Sequence, residues 1–313
     1  MNVYKTRQSD LESVLDYKFD LFIACSGYET RARYLVEVLG SKIIAGRKYC
    51  IQFSNYKDRE SRHMNDQTFS DFGFETGEYS GNESRFIFSI LEELLQKVER
   101  NTLNILVDYS SMTRVWYASI LQFFKYKVIE GLEVNIFFSY SSSKFVIPPK
   151  ATIYNRYVGP IDGFYTITIP NKPTALIVGL GYIQSRAYGL AEFFDVDPYI
   201  FIADSSSNVE YFKEVMEKND ELIRVTKESN IFKYPLDNLL FTETLLYSLA
   251  RDLRSDYRVV LAPCGPKPFT LLCLIIGQRL SGIDVWRISA GEDDVPVDKV
   301  ASGYLNILQL VLR

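Results

Sequence analysis

Apolar and polar stretches alternate along the chain, and their spacing predicts strands and helices in turn. Short apolar runs typical of buried strands occur in the first half at residues 19–25, 49–53, 103–108 and 134–139. Apolar side chains at helical spacing occur at residues 30–39, 83–98 and 113–125. Residues 55–80 show no sustained period and are interpreted as a long loop that has room for a short helix. The second half repeats the alternation from residue 175 to residue 288, so the sequence predicts an α/β fold with mainly parallel sheets.

One segment of the first half is echoed in the second half. Residues 22–32, FIACSGYETRA, resemble residues 176–187, LIVGLGYIQSRA. In both segments an apolar strand ends at a Gly-Tyr turn and continues into a helix that carries Arg-Ala. Arg31 and Arg186 are 155 residues apart (186 − 31), which is about half of the chain.

A second echo occurs further along each half. Residues 104–114, NILVDYSSMTR, match residues 259–268, VVLAPCGPKP, as a strand that ends in a turn of small residues with a cation. Arg114 and Lys267 are 153 residues apart (267 − 114). Two echoes in one order at nearly one offset predict a duplicated unit. We therefore predict tandem Rossmann-like units at residues 1–160 and 161–313, related by a pseudo-two-fold axis, whose turns converge on one pocket.

Length and charge restrict the partners. A chain of 313 residues is long enough for two domains with separate cores. A formal net charge of −4 and a pI near 5.3 argue against broad binding to nucleic acid, which needs a basic face. A small anionic ligand is still compatible with the sequence, because a few cations and backbone N–H groups can hold one.

Cysteine and histidine usage excludes several kinds of chemistry. The four cysteines form no Cys-x-x-Cys pair, so the sequence predicts neither a zinc site nor a disulfide framework. The single histidine, His63, lies in the polar stretch interpreted as a loop, which leaves little material for histidine-based catalysis. No metal, no cofactor and no catalytic residue is predicted. No apolar run is long enough to span a membrane and the N-terminus lacks a signal-peptide core, so we expect a cytoplasmic protein without membrane contact.

Polar side chains in and beside the echoed turns are the candidate ligand-binding residues. In an open parallel sheet, ligands bind beyond the carboxyl ends of the strands, where the strand order reverses. Glycine there lets a ligand approach the backbone, and hydroxyls with a cation suit a phosphate or a ribose. The predicted set in the first half is Ser26, Gly27, Tyr28, Thr30, Arg31, Asp108, Ser110, Ser111, Thr113 and Arg114. The predicted set in the second half is Gly181, Tyr182, Gln184, Arg186, Asp204, Cys264, Gly265 and Lys267.

Each candidate also has an ordinary structural interpretation. A glycine after a strand forms a tight turn, and a hydroxyl before a helix is an N-cap. Asp204 suits a helix cap, Asp108 suits an ion pair with Arg114, and the tyrosines suit simple packing. Residues 139–144 and 289–294 follow the last strands and suit either the same crevice or plain loops. Residues 179–181 lack the third glycine of the dinucleotide fingerprint, so this glycine pair gives little support for NAD binding.

The echoed turns resemble those of the CARF and SAVED group of Rossmann-like sensor domains. That group carries a Ser/Gly turn after its first strand and a Gly-Thr-Lys-like turn before a later apolar helix. Residues 25–28 and 180–182 resemble the first motif, and residues 110–114 and 264–268 resemble the second, with Arg114 in place of the family's lysine. The resemblance implies a sensor of nucleotides or cyclic oligonucleotides, held between two CARF-like halves, in antiviral defence. It also implies a separate effector protein and leaves a homo-oligomer open.

Two other functions remain open at this stage. Residues 107–113 resemble the phosphate loop of phosphoribosyltransferases, although the paired acidic residues of that family are missing. This resemblance implies an enzyme that cleaves or transfers a phosphorylated nucleotide or nucleoside. The third alternative is an interaction scaffold, in which the repeated turns only shape the sheet.

Overall fold

The computed structural model describes residues 1–98, 100–127, 129–148, 155–167, 171–204, 209–290 and 297–313. The fold is α/β, as predicted, with two compact units. The first unit comprises Met1–Val146 together with Pro296–Arg313, and the second comprises Ile147–Val295. The predicted division into residues 1–160 and 161–313 is therefore wrong in two respects. The boundary lies earlier, and the last strand returns to the first unit, so the second unit is an insertion.

The first unit contains a seven-stranded sheet. Its strands are β1 (Val3–Ser9), β2 (Lys18–Ser26), β3 (Ile44–Phe53), β4 (Glu75–Tyr79), β5 (Thr102–Asp108), β6 (Glu133–Ser143) and β13 (Ala301–Leu312). Its helices are α1 (Leu11–Leu15), α2 (Tyr34–Leu39), α3 (Glu60–Asp71), α4 (Arg85–Gln96) and α5 (Arg114–Tyr126), with 3-10 turns at Thr30–Arg33 and Gly40–Lys42.

The strand order of this sheet is β1-β13-β6-β5-β2-β3-β4. Five neighbouring strands are parallel, in the order β6, β5, β2, β3 and β4. Strand β13 pairs antiparallel with β6, and β1 pairs antiparallel with β13 at the edge of the sheet. After β2 the chain builds outward through β3 and β4, then returns to place β5 on the other side of β2. The order therefore reverses between β2 and β5, which is the kind of point where open α/β sheets bind ligands.

Apolar side chains of the central strands form the core of the first unit. On one face Phe22, Leu106 and Phe137 pack with Leu35 of α2 and Phe69 of α3. Burying such side chains contributes about 1.5–3 kcal/mol each. The long apolar helix α5 begins after Thr113, whose hydroxyl accepts a hydrogen bond from the amide of Trp116 (3.4 Å) and so caps the helix.

The second unit contains a six-stranded sheet. Its strands are β7 (Tyr157–Pro160), β8 (Thr174–Gly179), β9 (Tyr199–Ala203), β10 (Ile231–Tyr234), β11 (Arg258–Pro263) and β12 (Ile283–Ser289). Its helices are α6 (Arg186–Phe194), α7 (Val209–Lys218), α8 (Asp220–Val225), α9 (Leu239–Leu253) and α10 (Lys267–Arg279), with a 3-10 turn at Glu228–Asn230.

The second sheet repeats the topology of the first. Its order is β10-β9-β8-β11-β12-β7, in which the first five strands are parallel and β7 is antiparallel. The order β10-β9-β8-β11-β12 corresponds strand for strand to β4-β3-β2-β5-β6. The reversal falls between β8 and β11, which are the strands that carry the echoed sequences. The pseudo-two-fold relation between the units stays a prediction.

Several local predictions differ from the structure. Residues 55–80 contain the twelve-residue helix α3 and edge strand β4, so the prediction of a long loop with room for only a short helix is wrong, and His63 lies exposed on α3. The polar surface of α3 hides its period, because only three of its twelve residues are buried: Arg62, Asn65 and Phe69.

Candidate functional site

The two predicted turns of each unit lie at the ends of neighbouring parallel strands. In the first unit Ile23 of β2 pairs with Val107 of β5, so the turns that begin at Ser26 and Asp108 leave the same edge of the sheet. In the second unit Gly179 of β8 pairs with Pro263 of β11. Turns about 80 residues apart in sequence are thus brought together at the strand-order reversal of each unit.

The first turn of the first unit is tied to helix α3. The hydroxyl of Ser26 donates to Asp66 at 2.5 Å, and the guanidinium of Arg62 donates to the same carboxylate at 2.9 Å. The side-chain amide of Asn65 donates to the carbonyls of Gly27 (2.8 Å) and Glu29 (2.9 Å). Buried backbone carbonyls need such partners, which explains why a polar helix packs here. Ser26 is fully buried, so its hydroxyl serves the turn.

A buried charge cluster lies beside this turn. Arg31, only 2% exposed, forms an ion pair with Glu29 at 2.8 Å and donates to the hydroxyl of Tyr140 (2.8 Å) and the carbonyl of Ser141 (3.1 Å). Lys299 approaches the other oxygen of Glu29 at 3.1 Å. Burial alone would lower the pKa of Arg31, but the attraction of Glu29 and the contact with Tyr140 raise it above its ordinary value. Arg31 is therefore charged and engaged by protein groups.

The segment that precedes β13 is hydrogen-bonded to the same turn. Thr30 donates its amide to one oxygen of Asp298 (2.6 Å) and its hydroxyl to the other (2.7 Å). The amide of Arg31 donates to the carbonyl of Lys299 at 2.9 Å. Asp298 and Lys299 precede β13, so the turn after β2 and the linker before β13 share these contacts.

The second turn of the first unit is built mainly from buried hydroxyls. Asp108 accepts hydrogen bonds from the amide (3.0 Å) and hydroxyl of Ser110, and the Ser110 hydroxyl also accepts from the amide of Ser141 at 2.7 Å. Ser111 donates to Glu29 at 3.4 Å, which links the two turns. Thr113 and Arg114 remain partly exposed at the start of α5. The predicted ion pair between Asp108 and Arg114 stays a prediction.

The turns of the second unit pack backbone against backbone. A Cβ atom on Gly181 would overlap the carbonyl oxygen of Cys264, and one on Gly265 would overlap the carbonyl oxygen of Leu180. Asn219 donates to the carbonyl of Gly181 at 2.9 Å, as Asn65 does to Gly27. The contact of the two turns accounts for both glycines.

The remaining candidates of the second unit are spread around these turns. Arg186 is buried and donates to the side-chain oxygen of Asn155 at 3.2 Å. Tyr182 packs edge-on against Tyr211, whereas Gln184 is exposed and Lys267 is partly exposed at the start of α10. Asp204 is exposed, and residues 205–208, which separate it from the helix α7 that it was expected to cap, lie outside the described chain.

A pocket of about 330 Å³ opens in the first unit beside the first turn. It is lined by Tyr28, Thr30, Arg59, Glu60, Met64 and Asp298. Tyr28 packs edge-on against Tyr56, and its carbonyl accepts a hydrogen bond from the hydroxyl of Ser61 at 2.5 Å. The structure therefore brings two predicted residues, Tyr28 and Thr30, into a cavity with groups from α3 and the returning linker.

Several residues of the site were missed by sequence reasoning. They are Glu29, Arg59, Asn65, Asp298 and Lys299, and all but Glu29 are in the segment interpreted as a loop or in the predicted second unit. One signal was available, because Asn65 and Asn219 are 154 residues apart (219 − 65), as are Gly27 and Gly181 (181 − 27).

Two absences hold for the residues that the structure describes. No group of three or more His, Cys, Asp or Glu side chains is placed to hold a metal ion. No helix in the same ranges is long and apolar enough to cross a membrane.

Comparisons with known proteins identify no family. No protein-family model and no curated protein matches the chain. A structure described as the cytoplasmic domain of a prokaryotic cation chloride cotransporter aligns over 88% of this chain and 97% of its own, with 10% identity and a TM-score of 0.25. Haemonchus contortus phosphoethanolamine N-methyltransferase 1, in complex with phosphoethanolamine and S-adenosylhomocysteine, aligns over 94% and 87%, with 8% identity and a TM-score of 0.22. Similarities this low support no argument about function.

Proposed function

We propose that the chain is a nucleotide-binding sensor that holds a phosphorylated nucleotide or a cyclic oligonucleotide at the carboxyl ends of its parallel strands. One observation carries the proposal. In each unit, the two echoed turns come together at the strand-order reversal, the place where open α/β sheets bind ligands. The resemblance of these turns to CARF and SAVED motifs supplies the ligand class, and with it a role in antiviral defence signalling.

The chemistry at the openings is compatible with an anionic ligand. Arg114 and Lys267 begin the helices that follow the second turns, and both are partly exposed. Helix N-termini and cations both favour bound phosphate. In this proposal the protein acts in the cytoplasm and passes the binding event to a separate effector protein. The predicted pocket shared by the two halves stays a prediction.

A binding screen tests this function. Small molecules released from the purified full-length chain are identified by mass spectrometry, and a panel of nucleotides and cyclic oligonucleotides is tested for a rise in Tm. We expect at least one phosphorylated member to stabilise the protein, because a ligand that binds only the folded state at 100 times its Kd adds about 2.7 kcal/mol. Arg114→Ala and Lys267→Ala should weaken that binding, whereas the exposed controls Arg85→Ala and Lys213→Ala should not. A panel without any Tm shift and no co-purified nucleotide would contradict the proposal.

A second candidate, an enzyme acting on nucleotides, rests on the serine–carboxylate contacts. Ser26 donates to Asp66, and Ser110 donates to Asp108, so each hydroxyl has an adjacent carboxylate acceptor. Both serines are fully buried, however, which favours a structural use of these contacts. Chromatography of the ligand after incubation distinguishes the two functions: a sensor returns the ligand intact, and an enzyme yields products that Ser110→Ala or Lys267→Ala abolishes.

A further inference from the structure

The pocket of the first unit has the size of a site for one small ligand. Its volume of about 330 Å³ lies at the lower end of the range of about 300–1,000 Å³ for ligand pockets. That volume suits a single nucleotide unit and is too small for several. The pocket also belongs entirely to the first unit, because its lining comes from the turn after β2, the start of α3 and the linker before β13.

Asp298 gives the pocket a hydrogen-bond acceptor in a fixed position. Each of its carboxylate oxygens accepts one hydrogen bond from Thr30, at 2.6 Å and 2.7 Å. An ionised carboxylate has about four acceptor positions, so about two remain for a ligand. Asp298 is exposed to solvent, and its two contacts with Thr30 fix the carboxylate without occupying all of its acceptor positions. Two adjacent hydroxyl groups are the natural donors to such a carboxylate, as in the ribose contacts of nucleotide-binding folds.

Arg59 gives the pocket a cation. It lies exposed just before α3 and makes no ion pair with any residue that the structure describes. A guanidinium matches the geometry of a phosphate group. The neighbouring Glu60 is exposed as well and is also unpaired in the described chain, so it opposes an anion by charge repulsion.

Tyr28 and Met64 supply the less polar part of the lining. The ring of Tyr28 is held edge-on by Tyr56 at a centroid distance of 5.0 Å, and Met64 is half exposed. Aromatic rings and thioether sulfur both pack favourably against flat aromatic groups. The pocket therefore combines a surface for a base, an acceptor for a diol and a cation for a phosphate.

We propose that this pocket holds one nucleoside 5′-phosphate unit, with the ribose hydroxyls donating to Asp298, the phosphate at Arg59 and the base along Tyr28 and Met64. The proposal rests on the proposed function and locates one nucleotide of the ligand within the first unit. The unit is either a free mononucleotide, whose two ribose hydroxyls both donate to Asp298, or one member of a cyclic oligonucleotide, whose ribose keeps one free hydroxyl because the other carries the phosphodiester link.

The test measures binding to the full-length chain by isothermal titration calorimetry. The probes are the four ribonucleoside 5′-monophosphates, the matching nucleosides, the 2′,3′-dideoxy monophosphates and a panel of cyclic oligoribonucleotides. We expect at least one ribonucleotide probe to bind, and its dideoxy counterpart to bind at least tenfold more weakly, because both donors to Asp298 are lost.

Variants of the pocket residues assign the contacts. Arg59→Ala should weaken a phosphorylated probe at least tenfold and leave its nucleoside unchanged, and Arg85→Ala, at the exposed start of α4, should change neither. Glu60→Gln should strengthen the phosphorylated probe severalfold, because it removes a repelling charge. Thr30→Val removes the hydroxyl that donates to Asp298 but leaves the Asp298 carboxylate in place. This variant should still bind the ribonucleotide probe, because the carboxylate that accepts from the ribose is unchanged.

The outcomes separate this proposal from the proposed function. Binding of a cyclic oligonucleotide that Arg59→Ala weakens tenfold supports the proposal even where the mononucleotides bind too weakly to measure. Binding of any nucleotide with the same affinity in the wild type, Arg59→Ala and Glu60→Gln would overturn it while leaving the sensor function in place. Failure of every probe to bind the wild-type chain would overturn both.

Discussion

The two strand-order reversals of the molecule share one backbone plan but are filled differently. In the first unit, a Cβ on Gly27 would lie 3.3 Å from the ring of Phe53 and 3.8 Å from the Cβ of Ser111, so side chains occupy the space between the turns. In the second unit, the corresponding space at Gly181 and Gly265 is taken by backbone carbonyls. The two units share the same order of parallel strands and close their turns by different means.

The two units also differ in the charged side chains that lie beside their turns. The first unit surrounds its turns with Glu29, Arg31 and Lys299, and it has a pocket with a cation and a carboxylate beside them. In the second unit the two turns contact each other directly. The partly exposed side chains beside that contact are Cys264 and Lys267, so these are the groups that a ligand could reach. An echoed glycine in two halves of a chain therefore does not imply the same role in both.

Removing the buried carboxylate of the first unit should give the largest effect. Glu29→Ala leaves the buried guanidinium of Arg31 without its ion-pair partner, which costs about 3–5 kcal/mol of unfolding free energy. The matching change in the second unit, Asn155→Ala, removes a neutral acceptor from Arg186 and should cost about 1 kcal/mol. Urea unfolding followed by tryptophan fluorescence measures both, because Trp116 lies in the first unit and Trp286 in the second.

An exposed ion pair provides the control for this prediction. Glu93 pairs with Arg47 at 3.0 Å on the surface, so Glu93→Ala should cost less than about 1 kcal/mol. Equal costs for Glu29→Ala and Glu93→Ala would show that the buried cluster is not the feature that distinguishes the first unit.

Alanine at the echoed glycines should separate the two units next. Gly181→Ala forces a methyl group into the carbonyl of Cys264 and should cost about 3 kcal/mol. Gly27→Ala meets only the flexible ring of Phe53 and should cost about 1 kcal/mol or less. Gly189→Ala, on α6 with nothing within 4 Å, is the matched control and should stabilise by about 0.5–1 kcal/mol. Similar destabilisation at Gly27 and Gly181 would remove the contrast between the units.

The sequence predicted the fold where hydrophobic periodicity was strong. Strand β5 and helix α4 lie within two residues of the predicted ranges 103–108 and 83–98, because a buried strand and an amphipathic helix leave clear patterns. The prediction failed at α3 and β4, which are polar and lie at the edge of the sheet, and at β1 and β13, which were not predicted. An antiparallel return strand depends on pairing with a partner about 165 residues away, and no local period encodes that.

The sequence predicted the proximity of the turns, whereas their role in binding stays a prediction. The echo predicted that Ser26, Gly27, Ser110 and Ser111 lie in adjoining turns, because the turns follow parallel strands that are neighbours in the sheet. It did not predict that Arg31 would be buried against Glu29, or that Asp298 would reach Thr30 across the inserted unit. The contact of Asp298 depends on where the segment before β13 lies in the fold, and no local sequence pattern encodes that position.

Alanine substitution of the two asparagines that donate to the turns should cost similar stability, because each asparagine holds the corresponding turn of its unit. Asn65 donates to the carbonyls of Gly27 and Glu29, and Asn219 donates to those of Gly181 and Val215. Alanine at either position removes the side-chain donor to the carbonyl of Gly27 or Gly181 and should cost about 1–2 kcal/mol. The carbonyls of Glu29 and Val215 keep the backbone amides of Ala32 and Asn219 as donors. The same urea titrations measure both variants. A cost at Asn65 alone would mean that the frame has been retained only in the first unit.

The smallest effect should come from thiol labelling, which changes a rate and not the stability. Cys50 and Cys273 are fully buried, and burial raises the pKa of both thiols, so the reactive thiolate is scarce. Cys25 is also buried, whereas Cys264 is partly exposed in the second turn of the second unit. Ellman's reagent should therefore label one thiol per native chain quickly, and Cys264→Ser should abolish that fast phase.

Nucleotide protection of that thiol then decides how far the two units differ. A ligand that stabilises the wild-type chain and slows labelling of Cys264 must cover the second turn of the second unit, because burial leaves the other three thiols slow throughout. If the same ligand depends on Arg59 but leaves the labelling rate unchanged, the turns closed by Gly181 and Gly265 serve structure alone. Binding then belongs to the first unit, where side chains and not backbone fill the reversal of strand order.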